Sequence, residues 1–80
     1  MHEWMEQASV RLADEAGADA AAYALTDAEI QTLLDLARVA AHGSGERTNA
    51  PLACYLVGLA RGRTGGSLDT LADAAAGEPL

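Results

Sequence analysis

The chain has 80 residues and a net charge of −7, with twelve Asp and Glu residues against five Arg residues and no Lys. A nucleic-acid-binding domain needs a basic face, and an anionic membrane surface repels a chain of this charge, so the composition argues against both kinds of partner. Hydrophobic residues make up 50% of the chain, but Phe is absent and Ala predominates, which leaves few large side chains to bury. We therefore expect one small domain over residues 1–80 with a modest core.

The cysteine content and the first residues indicate a cytoplasmic chain. A single Cys excludes an internal disulfide, and no spacing typical of a metal site is present. The N-terminal residues are acidic where a signal peptide would be basic, and no apolar stretch follows them. Arg without Lys, together with abundant Ala, indicates a genome of high GC content. We expect a cytoplasmic protein that needs no cofactor.

The first helix is predicted over about residues 2–16. Its apolar positions recur at helical spacing: Met5, Ala8, Leu12 and Ala16. Gly17 is expected to end it. Trp4 is interpreted as a lid on the core of the bundle rather than as a residue that stacks on a ligand. A short helical turn is predicted near residues 19–24.

The most regular helical pattern covers residues 27–42. Thr26 and Glu29 have the spacing of a capping box, in which each side chain accepts a hydrogen bond from the backbone of the other residue. Apolar residues then form one stripe: Ile30, Leu33, Leu34, Ala37 and Ala41. Gly43 is predicted to end this helix.

A third helix is predicted over about residues 51–61, because Pro51 is tolerated in a first turn and no charged residue follows until Arg61. A helix that is apolar on all sides is buried or lies in an interface, and this one is too short to span a bilayer. Gly58 in its middle predicts the close approach of another helix. The fourth helix is predicted over residues 68–76. The fold class is therefore all-α: a compact bundle of four helices with antiparallel neighbours.

One row of polar residues on the second helix could carry a function. Asp35 and Arg38 are three residues apart, Arg38 and His42 are four apart, and Arg47 follows in the next loop, so their side chains can meet on one side of the domain. They are consistent with a site for a ligand or a protein partner, since Arg offers forked donors and His a proton-sensitive group. By themselves they fit a solvated helix face better, because such polar rows occur on most amphipathic helices.

Arg61 and Arg63 form a second candidate site for an anion. They precede two Gly residues and the start of the fourth helix, and a helix N-terminus favours negative charge. The loop matches neither common phosphate-binding motif, so an ordinary connection between helices is the alternative.

Cys54 lies among apolar residues and is interpreted as an inert thiol. Because no nucleophile has a base at a suitable spacing, we expect a protein that is not an enzyme.

Three segments of the chain resemble a small bacterial family of unassigned function. The pattern is LLDLAR-x-x-AH at residues 33–42, an Arg at Arg47, and APL-x-x-(aromatic)-L-x-GLA-x-G at residues 50–62, with Trp4 matching a Trp near the N-terminus. The resemblance covers half to two-thirds of the chain. The loop at residues 43–49 departs from the pattern, because it is richer in Gly and lacks the Pro of the family.

Members of that family occur alone or fused to molybdenum cofactor guanylyltransferase domains, which attach GMP to molybdopterin. The resemblance therefore implies an accessory role in molybdenum cofactor biosynthesis, and it implies that Asp35, Arg38, His42 and Arg47 contact a ligand or a partner. The leading hypothesis is a non-catalytic protein-interaction domain, with a nucleotidyltransferase as its partner. The alternatives are a module that binds a phosphate-bearing pterin or nucleotide through its Arg residues, and a homo-oligomeric structural domain, for example a homodimer.

Overall fold

The fold is an all-α bundle, as predicted. The computed structural model describes residues 2–80, and of His2 it describes the backbone only. This part of the chain contains no strand and has four α-helices with one 3₁₀ turn: α1 (His2–Ala16), the 3₁₀ turn (Ala20–Tyr23), α2 (Asp27–Ser44), α3 (Asn49–Thr64) and α4 (Leu68–Ala76). The bounds of α1 and α4 agree with the predictions, and the 3₁₀ turn confirms the short helical segment.

The two ends of α2 show one confirmed prediction and one wrong prediction. The capping box is present: the Thr26 hydroxyl accepts from the Glu29 backbone N–H at 3.1 Å, and the Glu29 carboxylate accepts from the Thr26 N–H at 2.8 Å. The predicted end at Gly43 is wrong, because the helix continues to Ser44. Gly45 ends it, with a φ of 75° that favours a residue without a Cβ.

Helix α3 is longer than predicted at both ends. It begins at Asn49, so Pro51 is its third residue and still lies in the first turn, where a missing N–H costs nothing. It continues through Arg61 to Thr64 and ends at Gly65, which has a φ of 70° and donates its N–H to the Arg61 carbonyl at 2.8 Å. The polar residues after Arg61, which were expected to form a loop, therefore complete a last helical turn.

Helices α2, α3 and α4 pack around one small core. Helices α2 and α3 are antiparallel, since the Cys54 thiol donates to the Leu33 carbonyl at 3.7 Å and later residues of α3 lie beside earlier residues of α2. Helix α4 packs on both. The buried cluster has one large fully buried side chain, that of Leu36, and contains Leu36, Val57, Leu68 and Ala72.

Helix α1 packs against the 3₁₀ turn and, within the described chain, against no other helix. Ala13 is buried, and the Ser9 hydroxyl donates to the Tyr23 carbonyl at 2.9 Å. The interpretation of Trp4 as a lid on the core is wrong. Its side chain is 64% exposed, and the Arg11 guanidinium lies 5.6 Å from the centre of its ring. Trp4 is nine residues from Ala13, which places it on the opposite side of α1.

Candidate functional site

The polar row predicted on α2 is present on its outward side. One carboxylate oxygen of Asp35 accepts from the Gln31 amide at 3.0 Å and from the Arg38 guanidinium at 3.3 Å. Arg38 is exposed, and so is His42 one turn later. The row is thus a solvent-facing set of side chains, in which side-chain hydrogen bonds join Asp35 to Gln31 and Arg38. Arg38 has further N–H groups that can donate to another molecule.

Arg47 lies in the connection between α2 and α3, at the same end of this helix pair as His42. Both side chains are exposed, and neither makes a hydrogen bond or ion pair with the rest of the described chain. The structure therefore leaves the side chains of Arg38, His42 and Arg47 exposed, with His42 in the last turn of α2 and Arg47 just beyond the end of that helix.

Arg61 lies at the other end of the α2–α3 pair. Its guanidinium is 2.8 Å from the second carboxylate oxygen of Glu29, whose first oxygen accepts from Thr26 in the capping box. The Thr26 N–H and the Arg61 guanidinium lower the pKa of Glu29, because both stabilise the ionised carboxylate. Glu29 and Arg38 are nine residues apart, or roughly 14 Å along the helix, so Arg61 does not share a site with Arg38. Arg63 is exposed near the end of α3.

A cavity of about 630 Å³ separates α1 and the 3₁₀ turn from the α2–α3 pair. Its walls are mainly apolar, and Glu29 and Arg61 are among the residues that line it; the apolar lining includes Met5, Leu12, Leu25, Leu33 and Leu68. The predicted close approach of a helix at Gly58 is wrong, since Gly58 borders this cavity and a Cβ there would meet no atom within 4 Å. The volume lies within the range of small-ligand sites, which is about 300–1,000 Å³.

Cys54 also lines this cavity, but its environment opposes nucleophilic chemistry. The thiol is half-buried, and burial raises its pKa, which disfavours the reactive thiolate.

Within the described residues, no group of three or more His, Cys, Asp and Glu side chains could hold a metal ion. No described helix is both long enough and apolar enough to cross a bilayer.

The most exposed apolar surface lies on α3. The exposed fractions are 60% for Leu52, 67% for Tyr55 and 62% for Leu56, whereas Val57 on the opposite side is 3% exposed. We call Leu52, Tyr55, Leu56 and the half-buried Leu59 the α3 apolar face. These four residues share one side of the helix by their spacing, but the sequence pattern does not show that this side faces solvent. One signal was available: the opposite side carries small residues, Ala50, Ala53 and Cys54, which allow close helix packing.

The charges on α3 and its flanking residues differ from those of the rest of the chain. No Asp or Glu occurs from Arg47 to Leu68, although the net charge of the chain is −7. Arg47 precedes the helix, and Arg63 lies in its last turn. The face is therefore an apolar strip with a cationic group near each end.

Comparison with curated proteins and with solved structures finds no match for this chain. Comparison with protein families finds one that is described as a domain of unknown function, DUF6457, and it matches residues 1–78. Because the match covers nearly the whole chain and includes α1 to α4, the chain belongs to the DUF6457 family.

Proposed function

We propose that this chain is a non-catalytic protein-interaction domain. The observation that carries the proposal is the α3 apolar face, on which three large side chains, Leu52, Tyr55 and Leu56, are 60–67% exposed in an acidic domain with a small core. Large apolar side chains that form one contiguous patch on a soluble domain mark a contact with another protein more often than scattered ones do. Tyr55 lies in the middle of the patch. Tyr is enriched among the interface residues that contribute most of the free energy of protein–protein binding.

The polar row on α2 provides a second contact surface in this proposal. Arg38, His42 and Arg47 are exposed, and Arg38 can still donate to a carboxylate of a partner. The partner that we propose is a cytoplasmic nucleotidyltransferase of molybdenum cofactor biosynthesis. This choice depends on the sequence resemblance at residues 33–62 and on no contact in the structure.

The test is binding between the full chain and a purified molybdenum cofactor guanylyltransferase, measured by calorimetry. Tyr55→Glu puts a charge in the α3 apolar face, and Arg38→Ala/Arg47→Ala removes two cations at the polar row. Thr70→Ala, at an exposed position of α4, is the control. We expect wild type and control to bind and at least one of the two test variants to bind at least ten-fold more weakly. Absence of binding by wild type, or equal binding by all variants, would refute the proposal.

A second candidate function is the binding of a phosphate-bearing pterin or nucleotide. The observation in its favour is the cavity of about 630 Å³, whose lining includes Arg61. Such a ligand would have to compete with Glu29 for Arg61, which is already paired at 2.8 Å. A ligand that binds the native state raises the melting temperature by mass action. GMP, GTP and inorganic phosphate are the probes, with Arg61→Ala as the test variant and Arg63→Ala as the control; an unchanged melting temperature would exclude this function for these ligands.

A further inference from the structure

We propose that helix α1 and the 3₁₀ turn form a lid, which closes onto α3 and shuts the cavity of about 630 Å³. The structure holds the open form, in which α1 lies across the cavity from the α2–α3 pair. In the closed form α1 packs on Cys54, Gly58 and Gly62, so the position of the lid controls access to the cavity. The inference goes beyond the proposed interaction function, because it does not involve the α3 apolar face.

A short extended segment joins the lid to the rest of the fold. Ala24 has a φ of −76° and a ψ of 133°, and Thr26 has a φ of −76° and a ψ of 163°. The Ala24 N–H donates to Ala21 in the 3₁₀ turn, and the Thr26 N–H donates to Glu29 in the capping box. Leu25 lies between them and makes no hydrogen bond with the described chain. A change of the backbone angles at Leu25 therefore moves the lid and leaves α2 intact.

Helix α1 and the 3₁₀ turn move as one unit, because hydrogen bonds hold them and their connection together. The Ser9 hydroxyl donates to the Tyr23 carbonyl, and the Ala18 N–H donates to the Ala13 carbonyl, both at 2.9 Å. In contrast, no Cα atom of α1 lies within 8 Å of a Cα atom of α2, α3 or α4 in the described part of the chain. The lid therefore has few contacts with the other helices to lose when it moves.

The side of α1 that lines the cavity is suited to packing on another helix. Its lining residues have helical spacing and are mainly apolar: Met5, Ala8, Ser9 and Leu12. Leu12 is 53% exposed although it lines the cavity, so much of its apolar surface is in contact with water in the open form. Closure of the lid removes this surface from water, and the hydrophobic effect therefore favours the closed form.

The opposite wall, on α3, leaves room for the lid. Cys54, Gly58 and Gly62 recur every four residues, so they share one side of the helix. A Cβ on Gly58 or on Gly62 would meet no atom within 4 Å, and small residues let two helices approach closely. The charged residues of the lining are Glu29 and Arg61, which pair with each other at 2.8 Å. Closure therefore buries no unpaired charge.

The experiment uses Cys54, the only Cys of the chain, as one half of a cross-link. A disulfide needs Cα atoms within about 7 Å of each other, so Leu12→Cys can bond to Cys54 only when the lid closes. Val10→Cys is the matched control, because Val10 is 50% exposed on the same helix but does not line this cavity. With oxidised glutathione at low protein concentration, Leu12→Cys should form the intramolecular disulfide about ten-fold faster than Val10→Cys or more, as measured by mass spectrometry of the monomer.

Gly58→Leu tests where the lid docks. The open form has room for the new side chain, and Leu favours a helix more than Gly does, so the helix content by circular dichroism should be kept. The side chain fills the place of α1 in the closed form and should slow the disulfide of Leu12→Cys about ten-fold or more. Equal disulfide rates for Leu12→Cys and Val10→Cys, or a rate that Gly58→Leu leaves unchanged, overturns the inference. Neither result bears on binding to the guanylyltransferase, which tests the proposed function separately.

Discussion

Leu36→Ala should destabilise this domain more than any other single Leu→Ala change. Leu36 is 0% exposed and is the one large side chain among residues 2–80 that is fully buried, so nothing nearby can take its place without moving helices. Replacing a fully buried Leu by Ala costs about 3–5 kcal/mol, as the sum of lost burial and a residual cavity. A domain of this size has a total free energy of unfolding of about 4–12 kcal/mol, so the change removes a large fraction of it.

Leu34→Ala is the matched control for this prediction. It is the same chemical change two residues earlier on the same helix, at a side chain that is 48% exposed, and should alter stability by at most about 1 kcal/mol. Urea unfolding, followed by circular dichroism at one low protein concentration, measures both variants. With a urea dependence of about 1 kcal/mol per molar, the midpoint of Leu36→Ala should fall by about 3–5 M. Similar midpoints for the two variants would refute the assignment of Leu36 to the core.

Two further predictions concern the start of α2. Thr26→Ala removes the hydroxyl that accepts from the Glu29 N–H and should lower the free energy of unfolding by about 1 kcal/mol, whereas Thr70→Ala, whose hydroxyl caps no helix, should change it little. The lowered pKa of Glu29 means that its ionised form stabilises the fold above its ordinary pKa of 4.5 and that this contribution is lost as the pH falls through the lower folded value. Glu29→Gln should therefore have a lower urea midpoint than wild type at neutral pH, and the difference should shrink in acid; a constant difference would contradict the ionic origin of the effect.

The parts of the structure that sequence alone determined are those that depend on local chemistry. The capping box at Thr26 and Glu29 was predictable because its hydrogen bonds join residues three apart. The start of α4 at Leu68 has a similar local cause, because the Ser67 hydroxyl accepts from the Thr70 N–H. The ends of helices were less predictable. Gly43 and Gly45 are both suitable terminators by residue type. In the structure Gly43 is part of the helix, and Gly45, with a φ of 75°, ends it.

Tertiary structure decided which sides of the helices are buried and which residues lie together. Helix α3 has large apolar residues on one side and smaller ones on the other, and hydrophobicity alone favours burying the larger side. The smaller side packs instead, since Ala53, Cys54 and Val57 let the backbones of α2 and α3 approach closely, which leaves Tyr55 in solvent.

The same distinction applies to the candidate sites. The Asp35–Arg38 pair was predictable from its spacing within α2, and its place on an exposed side follows from the polarity of that side. The Glu29–Arg61 pair and the cavity beside it were not predictable, because they depend on residues 32 positions apart that meet only when α2 and α3 are antiparallel. Local hydrogen bonds and helix periodicity can be predicted from the sequence, because they involve residues a few positions apart. Which helix faces pack together depends on contacts across the whole chain.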